Sequence, residues 1–241
     1  MGYKTMDANE AVSRVSYKFT EIAGIYPITP ASPMAEKVDV LASKGEINFW
    51  GNKVKVIEME SEKGAIATVH GALQAGVLAT TYTASQGLLL MIPSIYKMAG
   101  EMLPGVIHVA ARSLSTHSLS IFGDHQDIYA VRQTGACMLS SSSVEEAYHM
   151  AMVSHLASIK SSLPFINFFD GFRTSHEIDK VKEIDLSKLE TLIDKKALRK
   201  FRDNGMISGA TTRGTAENED VYFQHTLSLI HISEPTRPLY I

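Results

Sequence analysis

The sequence predicts an α/β protein in which a parallel β-sheet is covered by helices on both faces. Strand-like and helix-like segments alternate roughly every 25 residues, as in sheets whose parallel strands are joined by helical crossovers. The strand-like segments are almost continuously apolar, which is typical of strands buried on both sides. With 241 residues, the chain is long enough to bury a sizeable core.

The first helix is predicted over about residues 11–23, where apolar side chains recur every three or four positions. Asp7 and Asn9 precede it and offer N-cap chemistry, and Gly24 is expected to end it. A short apolar piece, 25–28, then runs into a stretch that is too rich in proline to be a central strand.

The remaining elements follow from similar signals. Pro33 suits the first turn of the second helix, Ser85-Gln86-Gly87 is read as a turn, and Ser143 with Glu146 forms a capping box. The predicted strands are 54–57, 77–83, 106–111 and 164–169. The predicted helices are 34–43, 63–75, 88–99 with a kink at Pro93, and one from the capping box to about residue 159.

The chain divides into three parts by composition. Residues 1–185 carry the α/β pattern, and residues 186–226 contain an amphipathic, Lys-rich helix over 186–202 followed by a polar linker. Residues 227–241, LSLIHISEPTRPLYI, break the pattern and resemble the translation of a sequencing adaptor. We interpret this tail as an artefact and expect the natural protein to continue past Thr226.

Composition excludes several classes of protein. The formal net charge of −3 argues against a strongly basic nucleic-acid binder. No apolar signal core follows the first methionine, and the longest apolar run, 87–92, is too short to cross a bilayer. We therefore expect a cytoplasmic protein without nucleic-acid or membrane partners.

Polar side chains concentrate in the loops that follow the predicted strands. In parallel sheets, ligands bind at the carboxyl ends of the strands, so these loops are where a site is expected. The loops cover residues 29–33, 58–62, 83–87, 112–115 and 170–176.

Three of these loops hold candidate site residues. Glu62 lies with Glu58 and Glu60 at a strand-to-helix junction. Acids at such a junction could bind a metal or a heterocycle. They could also be solvated residues that the helix dipole stabilises at the N-terminus. Arg112 could hold a carboxylate through two parallel hydrogen bonds or form a structural ion pair. Thr29 presents a hydroxyl from a rigid loop that could equally be a plain turn.

Other features leave their alternatives open. The acids Asp124 and Asp127 could form a catalytic or metal cluster, or could cap a short helix. His70 and His108 lie in apolar segments, so core positions are expected for both. The sequence contains no dinucleotide fingerprint, P-loop, nucleophile elbow or HExxH zinc motif.

The loops also form long motifs in a fixed order. They are YPITPASP (26–33), EMESEKGA (58–65), TASQGLLLMIP (83–93), IFGDHQDIYAVRQTG (121–135) and FFDGFRTSHE (168–177). Together they resemble the N-terminal, pyrimidine-binding domain of the pyruvate:ferredoxin (flavodoxin) oxidoreductases. RGTAENEDVYFQ (213–224) resembles that family's connection to its next domain, so the resemblance runs from about residue 3 to residue 224.

The resemblance implies a thiamine-diphosphate-binding fold of the pyrimidine-domain type. It also implies an enzyme that decarboxylates pyruvate oxidatively to acetyl-CoA and CO2 and passes electrons through iron–sulfur clusters to ferredoxin or flavodoxin. By this resemblance, Glu62 hydrogen-bonds N1′ of the aminopyrimidine ring, and Pro27 and Thr29 also bind the cofactor. Thr29 and Arg112 meet the carboxylate of pyruvate, and the enzyme is a homodimer.

The residue types suit these roles. A glutamate against N1′ stabilises the imino tautomer that takes the proton from C2 of the thiazolium, so its carboxyl must be partly buried and held at a fixed point. One guanidinium and one hydroxyl can hold pyruvate, whereas more charged contacts would stabilise the ground state. Glu58 and Glu60 are then interpreted as solvated acids at a helix terminus.

Two parts of the family's machinery are not found in this sequence. Thiamine enzymes hold the diphosphate through Mg²⁺ on a GDG motif, but here Gly123-Asp124 is followed by His125. A [4Fe-4S] cluster takes four thiolates, and the chain has only Cys137. Both groups belong to later domains in the family, so we predict no metal ligands here and no activity for this chain alone.

Two alternatives to this function remain. The chain could be the same half of a related 2-oxoacid:ferredoxin oxidoreductase with another substrate. It could also be a non-catalytic α/β binding module.

Overall fold

The computed structural model describes residues 2–209, 212 and 214–233, and its main feature is a parallel sheet of six strands. The strands of this sheet are β2 (Ile22–Ile25), β3 (Lys55–Glu58), β4 (Ala79–Thr83), β5 (Val106–Ala111), β6 (Cys137–Ser141) and β7 (Phe165–Asp170). Their order across the sheet is β3-β2-β4-β5-β7-β6, and every neighbouring pair is parallel. A separate two-stranded ribbon pairs β1 (Tyr3–Met6) with β8 (Asp179–Lys182) in antiparallel register.

Helices precede, connect and follow the strands of the sheet. They are α1 (Ala8–Phe19), α2 (Ser32–Ser43), α3 (Glu62–Gln74), α4 (Ser85–Gly100), α5 (Gln126–Val131), α6 (Val144–Ser161), α7 (Lys195–Asp203) and α8 (Glu219–Ser233). A 3-10 helix, Leu186–Leu192, precedes α7. None of the helices within the described residues is both long enough and apolar enough to cross a membrane.

The strand order explains why helices cover both faces. The chain moves across the sheet in one direction through α3, α4 and α5, and in the opposite direction through α2 and α6. Right-handed crossovers in opposite directions lie on opposite faces. Accordingly, α1 packs against α2 and α6, while α4 packs against α3 and α5. The predicted fold class is therefore confirmed.

Three helices begin at the caps that their sequences supply. The side chain of Asp7 accepts a hydrogen bond from the Glu10 N–H at the start of α1, as predicted. The hydroxyl of Ser61 caps α3 and that of Ser143 caps α6, and each satisfies a backbone N–H that has no partner inside its helix. Pro33 lies in the first turn of α2, also as predicted.

The prediction that Gly24 ends α1 is wrong. The helix ends at Phe19, and Gly24 lies inside β2 instead. A Cβ atom at Gly24 would lie 2.5 Å from the carbonyl oxygen of Ala65 on α3. The glycine is therefore required by the close approach of α3 to the sheet.

The predicted turn at Ser85-Gln86-Gly87 is also wrong, because these residues form the first turn of α4. Helix α4 continues through Pro93 to Gly100. The Lys-rich segment was predicted as one helix over 186–202, but the structure divides it into the 3-10 helix and α7, with the Asp194 side chain capping α7.

The segment after residue 185 packs against the sheet domain. Phe201 is buried, the Arg202 Nη2 atom lies 3.2 Å from Glu21 Oε2, and the Met206 N–H donates to the Gln74 carbonyl. Helix α8 runs across residue 227, and residues 234–241 of the adaptor-like tail lie outside the described residues. The division at residues 185 and 226 stays a prediction.

Candidate active site

The loops at the carboxyl edge of the sheet contact one another. The Arg112 Nη1 atom, after β5, donates to the Thr29 carbonyl, after β2, at 2.7 Å. A Cβ atom at Gly171, after β7, would lie 2.5 Å from the Ala111 carbonyl oxygen and 2.8 Å from Pro30 Cγ. The chain leaves β2 toward β3 on one side, and β4 flanks β2 on the other. Open α/β sheets bind ligands at such a reversal of strand order.

Glu62 is the first residue of α3 and is 7% exposed. Glu58 and Glu60, which precede it, are both exposed to solvent. The sequence placed all three acids at this junction, and burial now separates Glu62 from the other two. No group of three or more possible metal ligands occurs among the described residues.

The Glu62 carboxylate points toward the first turn of α4. A Cβ atom at Gly87 would lie 2.7 Å from Glu62 Cγ and 2.8 Å from Glu62 Oε1, so glycine is what leaves room for this side chain. Within the described part of the chain, no residue donates a hydrogen bond to the Glu62 carboxylate. Neither carboxylate oxygen of Glu62 is among the fully buried polar atoms that lack a partner in the described residues, so the carboxylate stays open to a ligand that donates a hydrogen bond.

Arg112 directly follows β5 and is also 7% exposed. One of its guanidinium nitrogens is bonded to the Thr29 carbonyl, but its buried Nε has no hydrogen-bond partner among the described residues. Burial lowers the pKa of the Arg112 guanidinium, and the nearby carboxylates of Asp127 and Glu62 oppose that shift. A carboxylate anion could accept a hydrogen bond from the guanidinium.

Thr29 and Pro27 lie in the exposed loop between β2 and α2. The loop is held from inside, because the Asn9 side-chain amide donates to the carbonyl of the buried Pro30 at 3.1 Å. The predicted proximity of Thr29 to Arg112 is present, but the bonded group is the Thr29 carbonyl rather than its hydroxyl. Asn9 was predicted as a cap and instead anchors this loop.

Asp127 is the site residue that sequence reasoning missed. It is fully buried, and its Oδ2 atom accepts from the backbone N–H groups of Ser85, at 2.7 Å, and Arg112, at 3.0 Å. The sequence offered a helix cap or a catalytic or metal cluster for this residue, and not a backbone contact. Its two partners lie 42 and 15 positions away, so local spacing gives no signal for the contact.

Comparison with known proteins identifies the family. The family model described as pyruvate flavodoxin/ferredoxin oxidoreductase, thiamine diP-binding, matches residues 14–237. The chain belongs to this family. The match extends past residue 227, and the assignment of the tail as an artefact is not tested by it.

Relatives in the oxidoreductase family match almost all of the chain. It is 59% identical over 222 residues to a pyruvate-flavodoxin oxidoreductase of Klebsiella pneumoniae, covering 92% of the chain and 19% of that protein. It is 55% identical over 225 residues to a pyruvate:ferredoxin oxidoreductase of Moorella thermoacetica, covering 93% and 19%. The chain thus spans about a fifth of the length of these curated relatives.

A solved structure shares the fold of this oxidoreductase domain. It is a 2-oxoglutarate:ferredoxin oxidoreductase from Magnetococcus marinus, with a TM-score of 0.67 and 22% sequence identity. The match covers 78% of this chain and 32% of that chain. At this identity the similarity supports the fold alone.

The residues present fit part of a thiamine cofactor. Glu62 offers a carboxylate that receives no hydrogen bond from the described residues, which suits a ring nitrogen that carries a proton. Gly87 keeps the space beside that carboxylate free of a side chain.

Proposed function

We propose that this chain forms the pyrimidine- and pyruvate-binding half of an oxidoreductase that decarboxylates pyruvate oxidatively to acetyl-CoA and CO2. The observation that carries the proposal is the pairing of two incompletely satisfied groups at one edge of the sheet. These are the Glu62 carboxylate, which has no donor among the described residues, and the Arg112 guanidinium, whose Nε has no acceptor there. The family match supports the same assignment.

Glu62 has the surroundings that its proposed role requires. Its position at the start of α3 fixes the carboxylate, since the helix begins at the Ser61 cap and Gly87 leaves room for the Glu62 side chain. From there it would accept a hydrogen bond from N1′ of the aminopyrimidine and hold that ring in its active tautomer. When bound, thiamine diphosphate supplies the nucleophilic carbon and the electron sink for decarboxylation.

Arg112 and Thr29 would orient pyruvate. The guanidinium is already fixed by the Thr29 carbonyl, so it is preorganised to donate to the substrate carboxylate. Thr29 is exposed at the rim and would present its hydroxyl to the same group. Pro27, exposed in the same loop, would border the cofactor.

The proposal extends to the intact enzyme. We infer that Mg²⁺ and [4Fe-4S] clusters are held by other domains, that coenzyme A is a substrate, and that ferredoxin or flavodoxin accepts the electrons. A cytoplasmic homodimer is the expected form. The two curated relatives named above are a pyruvate-flavodoxin and a pyruvate:ferredoxin oxidoreductase, which supports pyruvate as the substrate.

A hybrid enzyme tests the role of Glu62. Residues 3–224 would replace the corresponding segment of the Klebsiella pneumoniae relative, and pyruvate-dependent reduction of flavodoxin would be measured. Glu62→Gln should lower kcat by about 100-fold or more, because the amide cannot stabilise the ring tautomer as a carboxylate does. Glu60→Gln, an exposed acid two residues earlier, is the matched control and should be neutral.

The same hybrid tests the role of Arg112. Arg112→Ala should raise the KM for pyruvate by about 10- to 100-fold, which corresponds to one charge-assisted hydrogen bond. A panel with 2-oxoglutarate and branched-chain 2-oxoacids separates the substrate classes. An inactive hybrid, an unaffected Glu62→Gln variant, or a preference for another 2-oxoacid would each contradict the proposal.

A further inference from the structure

Asp127 is a buried carboxylate whose acceptor capacity is used by backbone groups from three segments. Its Oδ2 atom accepts from the N–H of Ser85 at 2.7 Å and the N–H of Arg112 at 3.0 Å. Its Oδ1 atom accepts from the N–H of Ile128 at 2.8 Å. One side chain therefore ties α5 to the ends of β4 and β5.

The first of these bonds holds the turn that faces Glu62. Ser85 begins α4 with a φ of +51°, in the left-handed region that a residue with a side chain rarely adopts. Such a conformation persists when the surrounding structure fixes it, and here Asp127 binds the N–H of that residue. Two residues later, Gly87 forms the wall against Glu62.

The second bond holds the backbone from which Arg112 extends. The N–H of Arg112 is fixed by Asp127, and the guanidinium is fixed by the Thr29 carbonyl. The carboxylate of Asp127 also interacts electrostatically with the guanidinium and favours its charged form. Asp127 thus acts on the position and on the charge of Arg112.

A simple capping role for Asp127 does not explain this geometry. Within α5 its side chain bonds only to the neighbouring Ile128 N–H, whereas the longer-range bonds use the other oxygen. The cap-like bond in this turn belongs to Asp124, whose Oδ1 accepts from the Gln126 N–H. Asp124 is partly exposed, while Asp127 is fully buried.

We propose that Asp127 is a positioning residue for substrate binding, which fixes Arg112 opposite Glu62 through the backbone of Ser85 and Arg112. The inference rests on the proposed function, since it takes Arg112 as the group that binds the 2-oxoacid carboxylate. Asp127 itself does not touch the substrate. Its effect should therefore pass through Arg112.

The test uses the hybrid enzyme and the KM for pyruvate. Asp127→Asn retains the shape but replaces one acceptor oxygen by an N–H₂ group, so at least one backbone N–H loses its partner. The variant should raise the KM by about tenfold, and kcat should change less. Asp124→Asn is the matched control in the same turn and should leave KM and kcat unchanged, because Asn caps as well as Asp.

A double variant separates positioning from general stability. If Asp127 acts through Arg112, adding Asp127→Asn to Arg112→Ala should raise the KM little further. A purely structural role would instead lower the melting temperature and the active fraction without changing the KM, which does not depend on how much enzyme is folded. Asp127→Ser, which keeps one acceptor oxygen, takes the place of Asp127→Asn if that variant is insoluble.

The outcomes distinguish this inference from the proposed function. If Arg112→Ala raises the KM but Asp127→Asn does not, or if the two effects multiply fully, the positioning role is wrong and the proposed function stands. If Arg112→Ala leaves the KM unchanged, both are wrong.

Discussion

The two buried histidines in the core should make folding stability fall steeply in mild acid. His108 on β5 and His155 on α6 approach with 3.1 Å between their Nε2 atoms, and Asn167 Nδ2 lies 3.1 Å from His108 Nδ1. The His108 ring stacks on Tyr82, and the His155 ring stacks on Phe19. Only one proton fits between the two Nε2 atoms, so the arrangement suits neutral rings.

The sign and size of the effect follow from the pKa shifts. Burial lowers the pKa of His155 to about 3, and burial together with the neighbouring His155 lowers the pKa of His108 well below 6.5. In the unfolded chain both take up protons near 6.5, so below that pH the unfolded state binds more protons and stability is lost. Between pH 7 and 5 the loss is about 2 kcal/mol per histidine and about 4 kcal/mol for the pair.

Urea unfolding of this chain between pH 5 and 7 measures how much the free energy of unfolding falls. The single tryptophan, Trp50, provides a fluorescence signal. His155→Gln keeps an amide near the position of Nε2 but does not titrate, so about half of the loss should disappear. His117→Gln, at an exposed position, should change nothing.

Other titrating groups cancel in this comparison. Burial raises the pKa of the Asp127 carboxyl, so protonation of Asp127 favours the folded state as the pH falls, opposite in sign to the histidines. That contribution is the same in both proteins. An identical loss of stability in His155→Gln and the parent chain would refute the reasoning.

Three further substitutions have expected outcomes. Gly87→Ala should weaken thiamine diphosphate binding in the hybrid enzyme by about tenfold or more, because its Cβ would lie 2.8 Å from Glu62 Oε1; unchanged binding in a titration would contradict the placement of Glu62. Gly24→Ala should lower the free energy of unfolding by about 1–3 kcal/mol, since the added Cβ meets the Ala65 carbonyl, and an unchanged urea midpoint would count against that contact. Asp7→Ala should remove about 1 kcal/mol of stability by uncapping α1, whereas Asp7→Asn should change it little.

Local sequence patterns were sufficient to predict the central strands of the sheet. Strand β5 is buried throughout and is apolar except for His108, and the capping residue Ser143 predicted the start of α6. The strands that were missed have no such signal. Strand β6 lies at the edge of the sheet and is only partly buried, and the ribbon strands β1 and β8 are short and rich in polar or charged residues.

Histidine shows the same limit at the level of single residues. His108 was predicted in the core and is fully buried there. His70 was predicted there too, but it is only partly buried and lies 3.2 Å from Glu101 Oε2. An apolar neighbourhood in sequence does not reveal a polar partner 31 residues away.

The candidate site was predictable to the extent that its residues lie next to strand ends. Glu62 and Arg112 each follow a strand closely, so the topology alone brings their loops to one edge. The sequence could not indicate that the Thr29 carbonyl, rather than its hydroxyl, contacts Arg112. That choice depends on the path of the loop, which Asn9 fixes from a separate helix.

The carboxylates of Asp127 and Glu62, which both lie near this edge of the sheet, differ in their hydrogen bonding within the fold. Asp127 receives three backbone hydrogen bonds, so both of its oxygens have partners within the fold and it needs no ligand. Glu62 is buried but receives no hydrogen bond from the described residues, and Arg112 keeps a donor without an acceptor there. Leaving the buried Nε of Arg112 without a partner lowers stability, whereas the Glu62 oxygens keep access to solvent and to a ligand. On the proposed function, Asp127 holds the site in place, and Glu62 and Arg112 are the groups that would bind the cofactor and the substrate.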